Sequence, residues 1–240
     1  MLRKELFGIP IGMWVLSAGY ALVCMLLRAF YIDYEGLRQI AAAAEGFNRE
    51  STTWWSGHSV LGVVLLWLLT LPLRFLPLVD AAQILSAISV WASGLILFRI
   101  LRLVGLGAGL SGWLMFLFYA SNVAWVSATM LPVASLSLLL TAWWGLSVIR
   151  WLAQRELDSA SGTRLGILGG VVALVNLFSL IPVMAAGIVA LRRGGGTGLL
   201  GAAVGVALIG YLAVYFAILP AQVEVSGAVR PKPSLIEWLW

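Results

Sequence analysis

Charged residues make up only 10% of the 240-residue chain, which holds a single histidine and a single cysteine. A soluble domain carries roughly 25% charged residues, so a soluble globule is excluded. Cys24 has no second cysteine to pair with, so no internal disulfide can form and the redox compartment cannot be read. No His/Cys/Asp cluster with metal-ligand spacing occurs. Acids are missing from the apolar runs, where neither paired aspartates nor a His/Glu spacing appears. An intramembrane protease therefore lacks its catalytic groups, and an ion-coupled transporter lacks its buried charge. The segment Gly194-Gly195-Gly196-Thr197-Gly198 has neither the lysine nor the preceding strand of a phosphate loop and reads as a linker. Thirteen arginines and two lysines against ten acids give a net charge of +5. They are scattered over short loops, a pattern that orients membrane helices and points to no nucleic-acid partner.

What is abundant is apolar length. Hydrophobic residues reach 62% and the mean hydropathy is +1.01. Runs of about 20 residues, long enough for a hydrocarbon core of roughly 30 Å, recur over 7–220. The expected fold is all-α: a polytopic transmembrane bundle of about seven to eight membrane helices, forming one domain over 1–220. Candidate spans are 8–30, 58–73, 81–101, 106–124, 129–149, 164–191 and 198–219. The first follows Arg3 and Lys4 but is too long for a signal peptide and lacks a small-residue cleavage site, so it reads as a retained span. The sixth has 28 residues with Asn176 and Pro182 near its middle, as in two half-helices forming a hairpin. Gly105/Gly109, Gly166/Gly170 and Gly201/Gly205 have the small-xxx-small spacing of close helix packing, or reflect ordinary glycine abundance in membrane helices. Residues 221–240 read as a linker-like tail, as in a truncated chain.

Seven simple crossings with the amino terminus inside place Arg99, Arg102, Arg150, Arg155 and Arg164 outside, against the positive-inside rule. The conflict disappears if 59–79, bent at Pro72 and Pro77, re-enters on the outer side and 164–191 is an inner hairpin. The amino terminus is kept inside.

Residues 31–58 carry four of the ten acids, Asp33, Glu35, Glu45 and Glu50, together with Arg38 and Arg49. Leu37, Ile40, Ala41 and Ala44 recur at helical spacing, as in an amphipathic helix lying at the interface within a first outer loop over 31–57. Asp33 as an N-cap with a solvated charged face accounts for these residues without catalysis. Group transfer accounts for them too. A carboxylate accepts the proton of an acceptor hydroxyl or amine, and Arg38, Arg49 and His58 hold a lipid-linked phosphate. His58 alone is also an ordinary interfacial residue. Trp54 and Trp55 read first as an aromatic belt and only second as a platform for a sugar ring.

The order of these features resembles the GT-C-type glycosyltransferases, membrane enzymes that use polyprenyl-phosphate sugars and include protein mannosyltransferases and aminoarabinose transferases. The resemblance rests on Asp33-Tyr34-Glu35 after the first span, the amphipathic 36–46, and Gly57-His58-Ser59-Val60-Leu61 opening the second. Phe98-Arg99-Ile100-Leu101-Arg102 at a span end, Met130-Leu131-Pro132, and 166–193 with Asn176, Pro182 and Arg192-Arg193 extend it. The family usually has proline after the His or Lys, where this chain has Ser59, and usually carries further spans and an outer domain. The resemblance implies a multi-pass protein of a bacterial-type cell membrane with Asp33 as catalytic carboxylate and Glu35 as substitute or partner. His58 then stands near the lipid phosphate, and Arg38 and Arg49 assist on chemical grounds alone. The implied partners are a polyprenyl-phosphate sugar donor, a lipid, glycan or protein acceptor, and membrane lipids. No cofactor or bound metal is implied, with a divalent-cation requirement left open. The competing class is a non-enzymatic membrane protein, a transporter subunit or assembly partner, whose loop acids tolerate substitution.

Overall fold

The computed structural model describes residues 5–6, 8–26, 40, 61–129, 131–154 and 156–213. A two-residue hairpin, β1 (Glu5–Leu6) and β2 (Ile9–Pro10), opens the described chain and is tied down by the Trp14 indole N–H, which donates to the Leu6 carbonyl at 3.2 Å. Nine α-helices follow among the described residues: α1 (Ile11–Leu26), α2 (Gly62–Thr70), α3 (Leu78–Leu103), α4 (Ala108–Ala120), α5 (Asn122–Thr129), α6 (Pro132–Leu152), α7 (Ser159–Val175), α8 (Leu180–Arg192) and α9 (Thr197–Ala213). Short 3-10 turns at Leu71–Leu73 and Leu177–Ser179 follow α2 and α7.

Two of these helices, α3 and α6, are long and apolar enough to cross a membrane, and α4 with α5 makes a third if that pair, bent by 57°, is one span. The chain is accordingly a membrane protein; of the expected seven to eight membrane helices, two or three of sufficient length lie within the described residues. Within the 58–73 run the described residues form the nine-residue α2 and a 3-10 turn, and Pro72 and Pro77 end helical hydrogen bonding there. The 164–191 run splits at Asn176, whose extended backbone (φ −155°, ψ 123°) closes α7 and whose side chain accepts from the Phe178 N–H at 3.1 Å. α1 and α9 have 16 and 17 described residues.

Contacts along the helices fix their directions. Tyr20 of α1 stacks on Tyr119 of α4 with ring centroids 4.4 Å apart, and Met13 packs on Gly112, so α1 and α4 run parallel. The Tyr119 hydroxyl donates to the Trp91 carbonyl at 2.7 Å, midway along α3, which runs antiparallel to α4 across the short turn at Gly105. Gln83 reaches the Thr129 carbonyl at 3.5 Å at one end, and Ile100 approaches Gly145 near the other, so α3 and α6 are parallel. α7 returns beside α6, with Trp151 Nε1 donating to the Asp158 carbonyl at 3.2 Å and Trp144 Nε1 to the Leu165 carbonyl at 2.8 Å. On α7 and α9, Gly166 packs on Ala202, Gly170 on Val206, and Leu174 on Gly210, which makes those two helices parallel. Gly187 on Leu200 and Gly196 on Ala190 make α8 antiparallel to α9. α7 and α8 are therefore a hairpin of two short helices.

Glycine is required at two helix ends. Gly105 (φ 92°) and Gly194 (φ 81°) take the left-handed conformation. Each closes a helix with the paired backbone bonds of a Schellman motif: Leu106 N–H to Leu101 C=O at 3.1 Å, and Gly195 N–H to Ala190 C=O at 3.1 Å. Of the three small-xxx-small pairs, only Gly166/Gly170 meets another helix among the described residues. Among the described residues nothing lies within 4 Å of where a β-carbon would stand at positions 105, 109, 201 and 205, and α9 answers with Ala203 and Ala207 instead.

Apolar cores form on both sides of this frame. One joins Cys24, Val90, Phe98, Met115 and Ala124 between α1, α3, α4 and α5. Another joins Trp144, Val148, Leu165, Val183 and Leu199 between α6, α7, α8 and α9. Within lipid such cores gain from close packing more than from water exclusion. Two hydroxyls buried along α3 bond to their own helix, Ser86 to Ala82 C=O at 2.8 Å and Ser93 to Ser89 C=O at 2.7 Å, so they need no partner elsewhere.

Candidate functional site

These directions give the molecule two ends. At one lie the hairpin β1–β2, the C-termini of α3, α6 and α8, and the N-termini of α4, α7 and α9. At the other lie the C-terminus of α1, the N-termini of α3 and α6, the α7–α8 turn and all of α2. The described arginines divide unequally between them. Arg99, Arg102, Arg150, Arg164, Arg192 and Arg193 are at the first end, and Arg74 alone is at the second. The first end also holds Asp158, which caps α7. Its carboxyl lies below the usual carboxylate range, chiefly because the Ser161 hydroxyl donates to it at 2.6 Å, then because the Ser161 and Ala160 N–H groups donate at 2.9 and 3.2 Å.

The segment that leaves α1 and returns at Leu61 departs from and arrives at the second end. Asp33, Glu35, Arg38, Arg49 and His58, the residues selected from sequence, lie outside the described residues. One residue of the loop is described, Ile40, helical and buried at 5% exposure; the rest of the expected amphipathic helix lies outside the described residues. Ile40 belongs to a cluster with Val63 and Leu66 of α2, Ala82 of α3, and Val133 and Leu136 of α6. The loop is thus docked on the bundle at this point. Its return is pinned by the Leu61 N–H, which donates to the Leu174 carbonyl in the last turn of α7 at 2.9 Å.

Trp67 and Leu78 pack against the Ile40 cluster and also line a pocket of about 300 Å³. Trp67 and Thr70 enter it from α2, Leu71, Leu73, Arg74 and Leu76 from the turn, and Leu78 from the start of α3. The Thr70 hydroxyl is spent on the Trp67 carbonyl at 2.9 Å, so among the described residues Arg74 supplies the charge of the pocket. No motif in the sequence distinguishes Arg74 from the other scattered arginines. The usable signal is its position between Pro72 and Pro77, two residues that favour a bend there. Nearby, Ser179 in the α7–α8 turn exchanges a hydrogen bond with Ser137 at 2.8 Å and accepts one from Thr141 at 2.9 Å, which holds the hairpin tip against α6. Among the described residues no three His, Cys, Asp or Glu side chains could hold a metal ion.

Compared with protein-family models, with curated proteins and with solved structures, the chain matches none of them.

Proposed function

We propose that this chain is a membrane glycosyltransferase of the GT-C kind, which moves a sugar from a polyprenyl-phosphate donor to a lipid, glycan or protein acceptor on the non-cytoplasmic face. The observation that carries the reading is the docking of the acid-bearing loop: Ile40 is buried in the cluster that shares Trp67 and Leu78 with the Arg74 pocket. A loop that served only as a solvated connection would not need this anchor. The charge division supports the orientation. The positive-inside rule assigns the end with six of the seven described arginines to the cytoplasm, and with it the amino-terminal hairpin. The loop and the pocket then face outward, where lipid-linked donors of this kind are used.

In this reading Asp33 takes the proton of the acceptor O–H or N–H as that atom attacks the anomeric carbon. The bond from that carbon to the phosphate oxygen breaks with inversion, and the phosphate leaves on its lipid with the bonding electron pair. Glu35 substitutes for or assists Asp33. Arg38, Arg49 and His58 hold the phosphate, whose charge grows as it departs. The test is transfer of labelled sugar from polyprenyl phosphate in membranes containing the chain. Asp33→Asn with Glu35→Gln is expected to lower the rate by about 10²- to 10⁴-fold, the usual contribution of a positioned general base. Undiminished transfer by that double variant would leave the non-enzymatic reading, a transporter subunit or assembly partner, in its place.

A further inference from the structure

We infer that the pocket between α2 and α3 is a binding site for the phosphate group of a lipid, with Arg74 as its anion-binding residue. Three independent features converge there. The first is charge. Among the described residues no hydrogen bond or ion pair engages the Arg74 guanidinium, whose planar fork matches two phosphate oxygens. The one described acid of this end, Asp80, is itself engaged. The second is the helix dipole. Leu78 lines the pocket at the first position of the 26-residue α3, where N–H groups without intrahelical acceptors favour an anion. The third is the wall. Leu71, Leu73 and Leu76 surround the charge, and Leu68, Leu69 and Phe75, the last 78% exposed, continue the apolar surface outside it.

A soluble anion would leave these leucines in water, and a neutral lipid would leave the guanidinium unpaired. A ligand with an anionic head and an apolar tail satisfies both. The phosphate could belong to a bilayer phospholipid or to a polyprenyl phosphate, so the site does not depend on the transferase reading. If the polyprenyl lipid is preferred, the site names the donor half of that reaction.

The test is native mass spectrometry of the full chain in detergent, titrated separately with phosphatidylglycerol, a polyprenyl phosphate, diacylglycerol and inorganic phosphate. At least one of the two phosphate lipids is expected to bind, with diacylglycerol and inorganic phosphate far weaker. Arg74→Gln should weaken that binding about ten- to hundredfold, as for a lost charge-assisted hydrogen-bond pair, and Arg74→Lys less. Arg150→Gln at the opposite end should leave it unchanged. Leu73→Trp, which fills the pocket and keeps the charge, should also weaken it, and thermal melts of each variant show whether it is folded. A preference for phosphatidylglycerol supports a bilayer-lipid site, and one for the polyprenyl lipid supports a donor site. Equal binding by folded Arg74→Gln, or diacylglycerol or inorganic phosphate binding as tightly as the phosphate lipids, overturns the inference. Because the readout is binding, its failure is distinct from a failure of sugar transfer in the Asp33/Glu35 variants.

Discussion

Asp158 accepts from the Ser161 hydroxyl and from two backbone N–H groups at the start of α7, so its charged form is favoured in the folded chain. A depressed carboxyl pKa stabilises the fold above the unfolded carboxylate value of about 3.9. That contribution is lost as the pH falls through the folded value. Asp158→Ala is therefore expected to lower the melting temperature at neutral pH, with the gap from wild type closing in strong acid. An equal gap at every pH would show that the charge of the cap is irrelevant. Arg74 and Asp158 also show what sequence alone conveyed at this scale. Asp158 directly precedes Ser159, the first residue of α7, and its capping role shows only once that helix start is known. The importance of Arg74 came only from the folding of α2 against α3, because a pocket is made by residues that no local pattern connects. The five residues selected in the loop were visible as chemistry, acids and bases in an otherwise apolar chain, but spacing could not arrange them in space.

Among the elements, uninterrupted apolarity was sufficient. The candidate spans 81–101 and 129–149 became α3 and α6, whose lengths of 26 and 21 residues need no break. Breaks were harder to place. In 164–191 both Asn176 and Pro182 suggested one, and the chain bends at Asn176. Pro182 sits in the first turn of α8, where its missing N–H costs no helical bond. The 57° bend between α4 and α5 has no proline or glycine to announce it. It falls at Ser121, whose hydroxyl donates to the Phe118 carbonyl at 2.6 Å and accepts from the Ala124 N–H at 3.2 Å, so one side chain ends one helix and starts the next. Glycine spacing was equally ambiguous until the packing was known. Gly170→Val on α7 would place its β-carbon 2.8 Å from the Ala203 carbonyl oxygen, a backbone atom that cannot step aside. It is expected to cost about 1–3 kcal/mol in thermal or denaturant unfolding, the usual penalty of overpacking. Gly201→Ala, where nothing lies within 4 Å, should be neutral. Equal effects of the two would dismiss the α7–α9 contact as the reason for the glycine pair.

For the whole molecule, the parallel and antiparallel contacts remove the conflict that simple counting of spans created. Because α2 begins and ends at one end, and α7 and α8 form a hairpin, Arg99, Arg102, Arg150 and Arg164 share an end with Arg192 and Arg193. One bent element and one hairpin change the end of the bundle at which every later turn lies, so the distribution of charge in the sequence could not be interpreted until the chain direction was known. The functional reading depends on this two-faced arrangement, since a carboxylate loop and a phosphate pocket on opposite sides of a membrane could not serve one reaction. Side-specific thiol labelling tests it most directly. In a Cys24→Ser background, single cysteines are placed at His58 and Arg74 and, separately, at Arg102, Arg164 and Gly194, and intact cells are treated with a membrane-impermeant reagent. The account predicts that positions 58 and 74 are modified in intact cells while 102, 164 and 194 react only after the membrane is opened. Labelling of 58 and 74 from opposite sides, or of all five from the same side, would contradict it.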